Sequence, residues 1–128
     1  MSKQRHISRL AAPRSWQVAR KATKWIAKPM PGPRTKAEGI PLVVLLRDVV
    51  GMIENQRELK YLINTKQILV NGKLYRETRF PVGLFDVISF PTVKKHYRVV
   101  LTTLGKLQAT EISDKEANTL LLQVNEKK

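Results

Sequence analysis

The sequence predicts an α+β protein, with a basic N-terminal arm ahead of a small domain of short helices and antiparallel strands. Three observations carry this. Residues 1–37 hold ten Lys and Arg and no Asp or Glu. Between Leu42 and Thr65 apolar residues recur at helical spacing. From Gln67 onward the period shortens to two, and turn residues punctuate it. A chain of 128 residues that is 42% hydrophobic suits one domain with an extension.

The arm comes first. Its cations are Lys3, Arg5, Arg9, Arg14, Arg20, Lys21, Lys24, Lys28, Arg34 and Lys36. The remaining residues 38–128 carry fourteen basic against ten acidic side chains, which leaves +4 of the total +14. Ten like charges repel one another and require an anionic partner. Residues 1–14 show no sustained period and read as extended. Ser15 suits the N-cap of a short helix over Trp16 to Ala27, a run free of Pro and Gly. Pro29, Pro31 and Pro33 then forbid helix, and Gly32 adds a turn. This stretch reads as a stiff, extended strap. Its charge and low apolar content predict that the arm is disordered alone and orders on its partner.

Pro41 suits the first turn of a second helix, in which Leu42, Leu45, Leu46, Val49 and Ile53 keep helical spacing. Asn55 and Gln56 interrupt the pattern. A third helix is expected over about 57–65, with Leu59, Leu62 and Ile63 inward and Arg57, Lys60 and Asn64 outward. Asn71-Gly72 signals a hairpin, because a type I′ turn needs positive φ at both central positions. Pro81 and Gly83 read as turn residues before a strand over Asp86 to Phe90. Two further strands, in "HYRVVLTT" and "KLQATEI", join around Gly105. Ser113 with Glu116 forms a candidate capping box for a last short helix.

A search for catalytic chemistry finds little. His6 and His96 are the only histidines and lack metal-ligand spacing. The acids stand singly, and no Gly-rich phosphate loop follows a strand. The absence of Cys excludes disulfides and thiolate zinc sites. No enzyme, metal, cofactor or small-molecule substrate is expected. No stretch reaches about 18 uninterrupted apolar residues, so no membrane span is expected. The N-terminus has no apolar signal core. The expected location is the cytoplasm.

The cationic arm points to nucleic acid, since Lys and Arg neutralise phosphates and release counterions. Trp16 and Trp25 either stack on bases or fold back onto the core. Within the domain, Arg47, Arg57, Lys60, Lys66, Lys73, Arg76 and Arg79 are expected along one side. Asn71 and Gly72 sit at the turn among them.

Several motifs carry a family resemblance. "RLAAPRSW", "KWIAKPMPGPR", "PLVVLLRDVV", "ILVNGKLYRETRFPVGLFDVISF" and "HYRVV" resemble, in order, the archaeal and eukaryotic type of ribosomal small-subunit protein four. The resemblance covers nearly the whole chain. It implies an arm and strap over 1–41, an αL RNA-binding domain over 42–103 (two short helices on an antiparallel sheet with hairpins), and a terminal strand and helix over 104–128. Arg34 stands where the family usually has His, and Phe85 where it usually has Met. Members usually continue into a KOW-type barrel, to which "NTLLLQVNEKK" reads as the link. The resemblance implies binding to small-subunit ribosomal RNA beside neighbouring ribosomal proteins, without catalysis. From their charge, aromatic character and place at the turn, the expected RNA-binding residues are Arg5, Arg9, Arg14, Trp16, Arg20, Lys21, Lys24, Trp25, Lys28, Arg34, Arg47, Arg57, Lys60, Lys66, Asn71, Gly72, Lys73, Arg76 and Arg79. The alternatives are an RNA-targeting module of a modification enzyme, for which the chain lacks a catalytic constellation, and a helix-turn-helix DNA-binding protein, for which the helix near 57–65 is short.

Overall fold

In the computed structural model, residues 6–18, 24–31 and 39–119 are described, together with Val124 and Glu126. The described elements mix short helices with three antiparallel sheets, an α+β arrangement. The largest sheet orders four strands as β4 (Leu69–Val70), β6 (Val87–Phe90), β7 (Lys95–Leu101) and β8 (Leu107–Ile112). Two small sheets pair β1 (His6–Ser8) with β2 (Trp25–Ala27), and β3 (Gly39–Pro41) with β5 (Pro81–Gly83).

The first domain helix starts without a side-chain cap. In α1 (Leu42–Val44) the amides of Leu42 and Val43 donate instead to the carbonyls of Phe80 and Thr78, each at 2.9 Å. These bonds satisfy donors that a helix start leaves open. The helix widens into a π-helix over Leu45–Val50. It stops at Gly51, whose φ of 78° is left-handed, and the Met52 amide returns to Leu46 O at 2.9 Å. Helix α2 (Gln56–Asn64) is capped by Asn55, whose side chain accepts from the Glu58 amide at 3.1 Å. Asn55, which breaks the apolar pattern, is thus the start signal of the next helix. Leu59 and Ile63 of α2 are buried and Arg57 and Lys60 exposed, as the periodicity predicts.

The Asn71-Gly72 turn forms with φ of 52° and 78°. Val70 and Lys73 exchange both backbone hydrogen bonds, at 2.9 and 3.0 Å. The hairpin does not extend further, because β4 pairs with β6 instead, Val70 lying opposite Ile88. The Asn71 side chain explains the choice. Its Nδ2 donates to Asp86 at 3.2 Å, and its Oδ1 accepts from the Val87 amide at 2.8 Å. Pro81 and Gly83 are strand residues rather than turn residues, and the turn lies beyond them, at Phe85 with φ 67°. Asp86 closes that turn by accepting from the Gly83 amide at 2.7 Å.

Gly105, with φ 79°, links β7 to β8. The Ser113 side chain accepts from the Glu116 amide at 3.4 Å and caps α3 (Asp114–Ala117). Two side chains of β7 hold this short helix. His96 Nε2 pairs with Asp114, and Arg98 donates to the carbonyls of Glu116, at 2.8 Å, and Thr119, at 2.5 Å.

The arm departs most from expectation. Trp25–Ala27 is a strand, not the end of a helix, and Ile7 lies opposite Ile26. Trp16–Val18 is not helical either, while residues 19–23 lie outside the described residues. Helix propensity differs by only tenths of a kcal/mol per ordinary residue. Burial outweighs it: Ile7, Trp16 and Ile26 join the same core as Leu42, Leu46, Leu59, Val82 and Ile88. The described stretches of the arm therefore belong to the fold, and the expectation of a free, disordered arm does not hold for them. The strap is anchored too. The Met30 amide donates to Arg79 O at 3.1 Å, and the Arg79 guanidinium to Lys28 O at 3.2 Å.

Candidate nucleic-acid interface

Strand alternation sets the geometry of the arm. In β2 the side chain of Ile26 points into the core, so that of Trp25 points outward. Trp25 is 47% exposed. The His6 ring meets it edge-on, with centroids 4.7 Å apart and planes at 66°. Lys24 Nζ lies 5.1 Å from its ring centroid, a cation–π distance.

Trp25 and His6 form part of the wall of a cleft of about 1210 Å³. Five cations from separate segments share this cleft: Arg9 after β1, Arg47 in the π-helix, Lys60 on α2, and Arg76 and Arg79 on the chain leading to β5. Asp48 and Glu77 also line it. Arg47 is paired with Asp48 at 3.2 Å. Arg9 is buried, and its amide continues the β1–β2 ladder to Lys24 O at 2.9 Å. Lys60 and Arg76 are exposed. The strap supplies Met30 and Pro31 to the same wall.

The other sequence candidates divide into groups. Arg57 is exposed and lines a shallow depression with Lys60, beside the cleft. Arg14, Lys66, Gly72 and Lys73 are exposed but do not line the cleft. Lys28 is half-buried under the strap contact. Arg5, Arg20, Lys21 and Arg34 lie outside the described residues. Of the two outcomes open to Trp16, the structure has the packed one: it is 2% exposed, with no ring face free for stacking. Asn71 spends its amide on Asp86 and Val87, which is a role within the fold. His6, which lacks metal-ligand spacing in the sequence, is exposed and sits against Trp25. The signal that would have found it is the alternation shared by "HIS" and "WIA" once these are paired as strands.

Among the described residues, no three His, Asp or Glu are placed to hold a metal ion, and no helix is long and apolar enough to cross a membrane.

Comparison with known proteins gives the geometry a family context. Residues 1–36 match the family described as the RS4NT (NUC023) domain. The chain is 47% identical over 115 residues to a small ribosomal subunit protein eS4 from Nanoarchaeum equitans, across 89% of this chain and 49% of the relative. The chain belongs to the eS4 family. A second eS4 relative, from Methanocella arvoryzae, is 43% identical over 88% of this chain and 48% of its own. A third, from Methanosphaera stadtmanae, is 38% identical over 97% and 52%. The chain spans about half the length of these curated eS4 relatives. The crystal structure of the 30S ribosomal protein S4e from Thermoplasma acidophilum superposes with a TM-score of 0.52 at 29% identity, covering 62% of this chain and 41% of that one. That eS4-family structure agrees with the α+β fold described above.

Proposed function

We propose that this chain is a structural, non-catalytic component of the small ribosomal subunit that binds ribosomal RNA. In this reading the arm and strap, 1–41, and an αL-type module, 42–103, contact RNA together. Its partners are small-subunit ribosomal RNA and adjacent ribosomal proteins, and its place is the cytoplasmic small subunit. The observation that carries the reading is the convergence of Arg9, Arg47, Lys60, Arg76 and Arg79 on one cleft from four separate stretches of chain. Membership of a family whose named relatives are small-subunit proteins supports it. Clustered cations are costly to assemble through self-repulsion, and a phosphate backbone removes that cost. Arg57 beside Lys60 and Lys24 over the Trp25 ring extend the cationic surface next to the cleft. Arg14, Lys66 and Lys73 are exposed elsewhere, and Arg5, Arg20, Lys21 and Arg34 add to the arm's charge.

The test is binding of the intact chain to small-subunit ribosomal RNA, with duplex DNA as competitor. Retention of the RNA complex under excess DNA is expected. Equal displacement by DNA would favour the helix-turn-helix alternative.

A further inference from the structure

Electrostatics alone does not account for the cleft. A surface that only tracks phosphates needs no aromatic face, and an exposed indole forgoes burial that would stabilise the fold. Yet Trp25, 47% exposed, is held outward by strand alternation on the lining of a cationic recess, with the His6 ring at 66° to it and Lys24 Nζ 5.1 Å from its ring centroid. The acids Asp48 and Glu77 interrupt the cations, so the recess is not a uniform phosphate track.

We propose that the cleft receives an unpaired RNA nucleotide, its base stacked on Trp25 and its flanking phosphates on Lys60 and Arg76. This rests on the RNA-binding reading and refines it. Three arguments support it. Bases in a duplex are stacked on one another and offer no face to an aromatic side chain, whereas bases in bulges and loops do. Stacking on a tryptophan is tolerant of sequence. The volume, about 1210 Å³, exceeds the roughly 300–1,000 Å³ usual for small-ligand sites, leaving room for a base with its sugar and adjoining phosphates. Lys60 stands on α2, fixed by the Asn55 cap, and Arg76 precedes the segment bonded to the strap. The backbone that carries Lys60 is therefore set within the fold before RNA arrives.

The experiment uses two RNA hairpins that differ only in one bulged 2-aminopurine. The intact chain is expected to bind the bulged hairpin about tenfold more tightly than the paired one, with quenching of the 2-aminopurine emission. Trp25→Leu is expected to bring the ratio of the two affinities close to one and to remove the quenching. Trp25→Phe, which keeps a ring, is expected to retain part of both. Thermal melting of each variant separates a lost site from a lost fold, and the quenching on the unaltered chain needs no variant. Equal affinity of the unaltered chain for both hairpins, without quenching, would overturn the nucleotide site and leave RNA binding standing. Failure to bind either hairpin or ribosomal RNA would overturn both.

Discussion

The indole Nε1 of Trp16 donates a 3.0 Å hydrogen bond to the carbonyl of Gly39, a buried contact that ties the arm to β3. Trp16 is thereby an anchor. Its ring fills the core, and its polar atom satisfies a backbone acceptor that lies away from water.

Trp16→Ala is expected to destabilise the protein by about 3–5 kcal/mol, the usual range for emptying a large aromatic site. Trp16→Phe keeps much of the volume but strands the Gly39 carbonyl, at about 1–3 kcal/mol. Urea unfolding measures both. A cost below about 1 kcal/mol for the alanine variant would mean that the arm is not part of the core.

Asn71 is expected to behave as a fold residue. Asn71→Ala removes the bonds to Asp86 and to the Val87 amide. It also places a residue less tolerant of left-handed backbone at φ 52°. A loss of about 2–3 kcal/mol is expected, from the buried groups left unsatisfied. The variant should bind RNA normally per folded molecule. Weakened binding with unchanged stability would assign Asn71 to the interface instead.

Arg76 and Lys60 should show the opposite pattern. Both are exposed, so Arg76→Glu and Lys60→Glu are expected to shift stability by no more than about 0.5 kcal/mol. Each should weaken RNA binding and flatten its salt dependence by about one unit of log–log slope. Unfolding of these variants, with intact binding by the folded fraction, would make the residues structural.

The contrast between these residues shows how far the sequence could be read. The Asn71-Gly72 turn, the Ser113 cap and the inward face of α2 were legible because each rests on neighbours a few positions apart. The docking of the arm was not. It depends on Ile7 meeting Ile26 across a charged stretch, and on Trp16 reaching Gly39. Nothing in the local composition of residues 1–37 reports such contacts, and Ala and Lys around Trp25 favour helix if tertiary pairing is ignored. The gathering of Arg47, Lys60, Arg76 and Arg79 was partly legible. Their number was visible in the sequence, but which of them share a cleft, and that His6 and Trp25 share it too, depends on pairing between distant segments.

The anchoring of the arm also decides how its charge is to be tested. Removing residues 1–37 would take Ile7, Trp16 and Ile26 out of the core, so loss of binding would be confounded with unfolding. Replacing Lys and Arg in the arm by Gln, with the apolar anchors kept, avoids this.

The most direct measurement is the slope of log affinity for small-subunit ribosomal RNA against log salt. With about six to eight phosphates engaged, the intact chain is expected to give a slope of about −4 to −7. The arm variant with Gln for Lys and Arg, shown folded by its melting transition, is expected to give a markedly shallower one. A slope near zero for the intact chain, or an unchanged slope in the folded arm variant, would contradict the account.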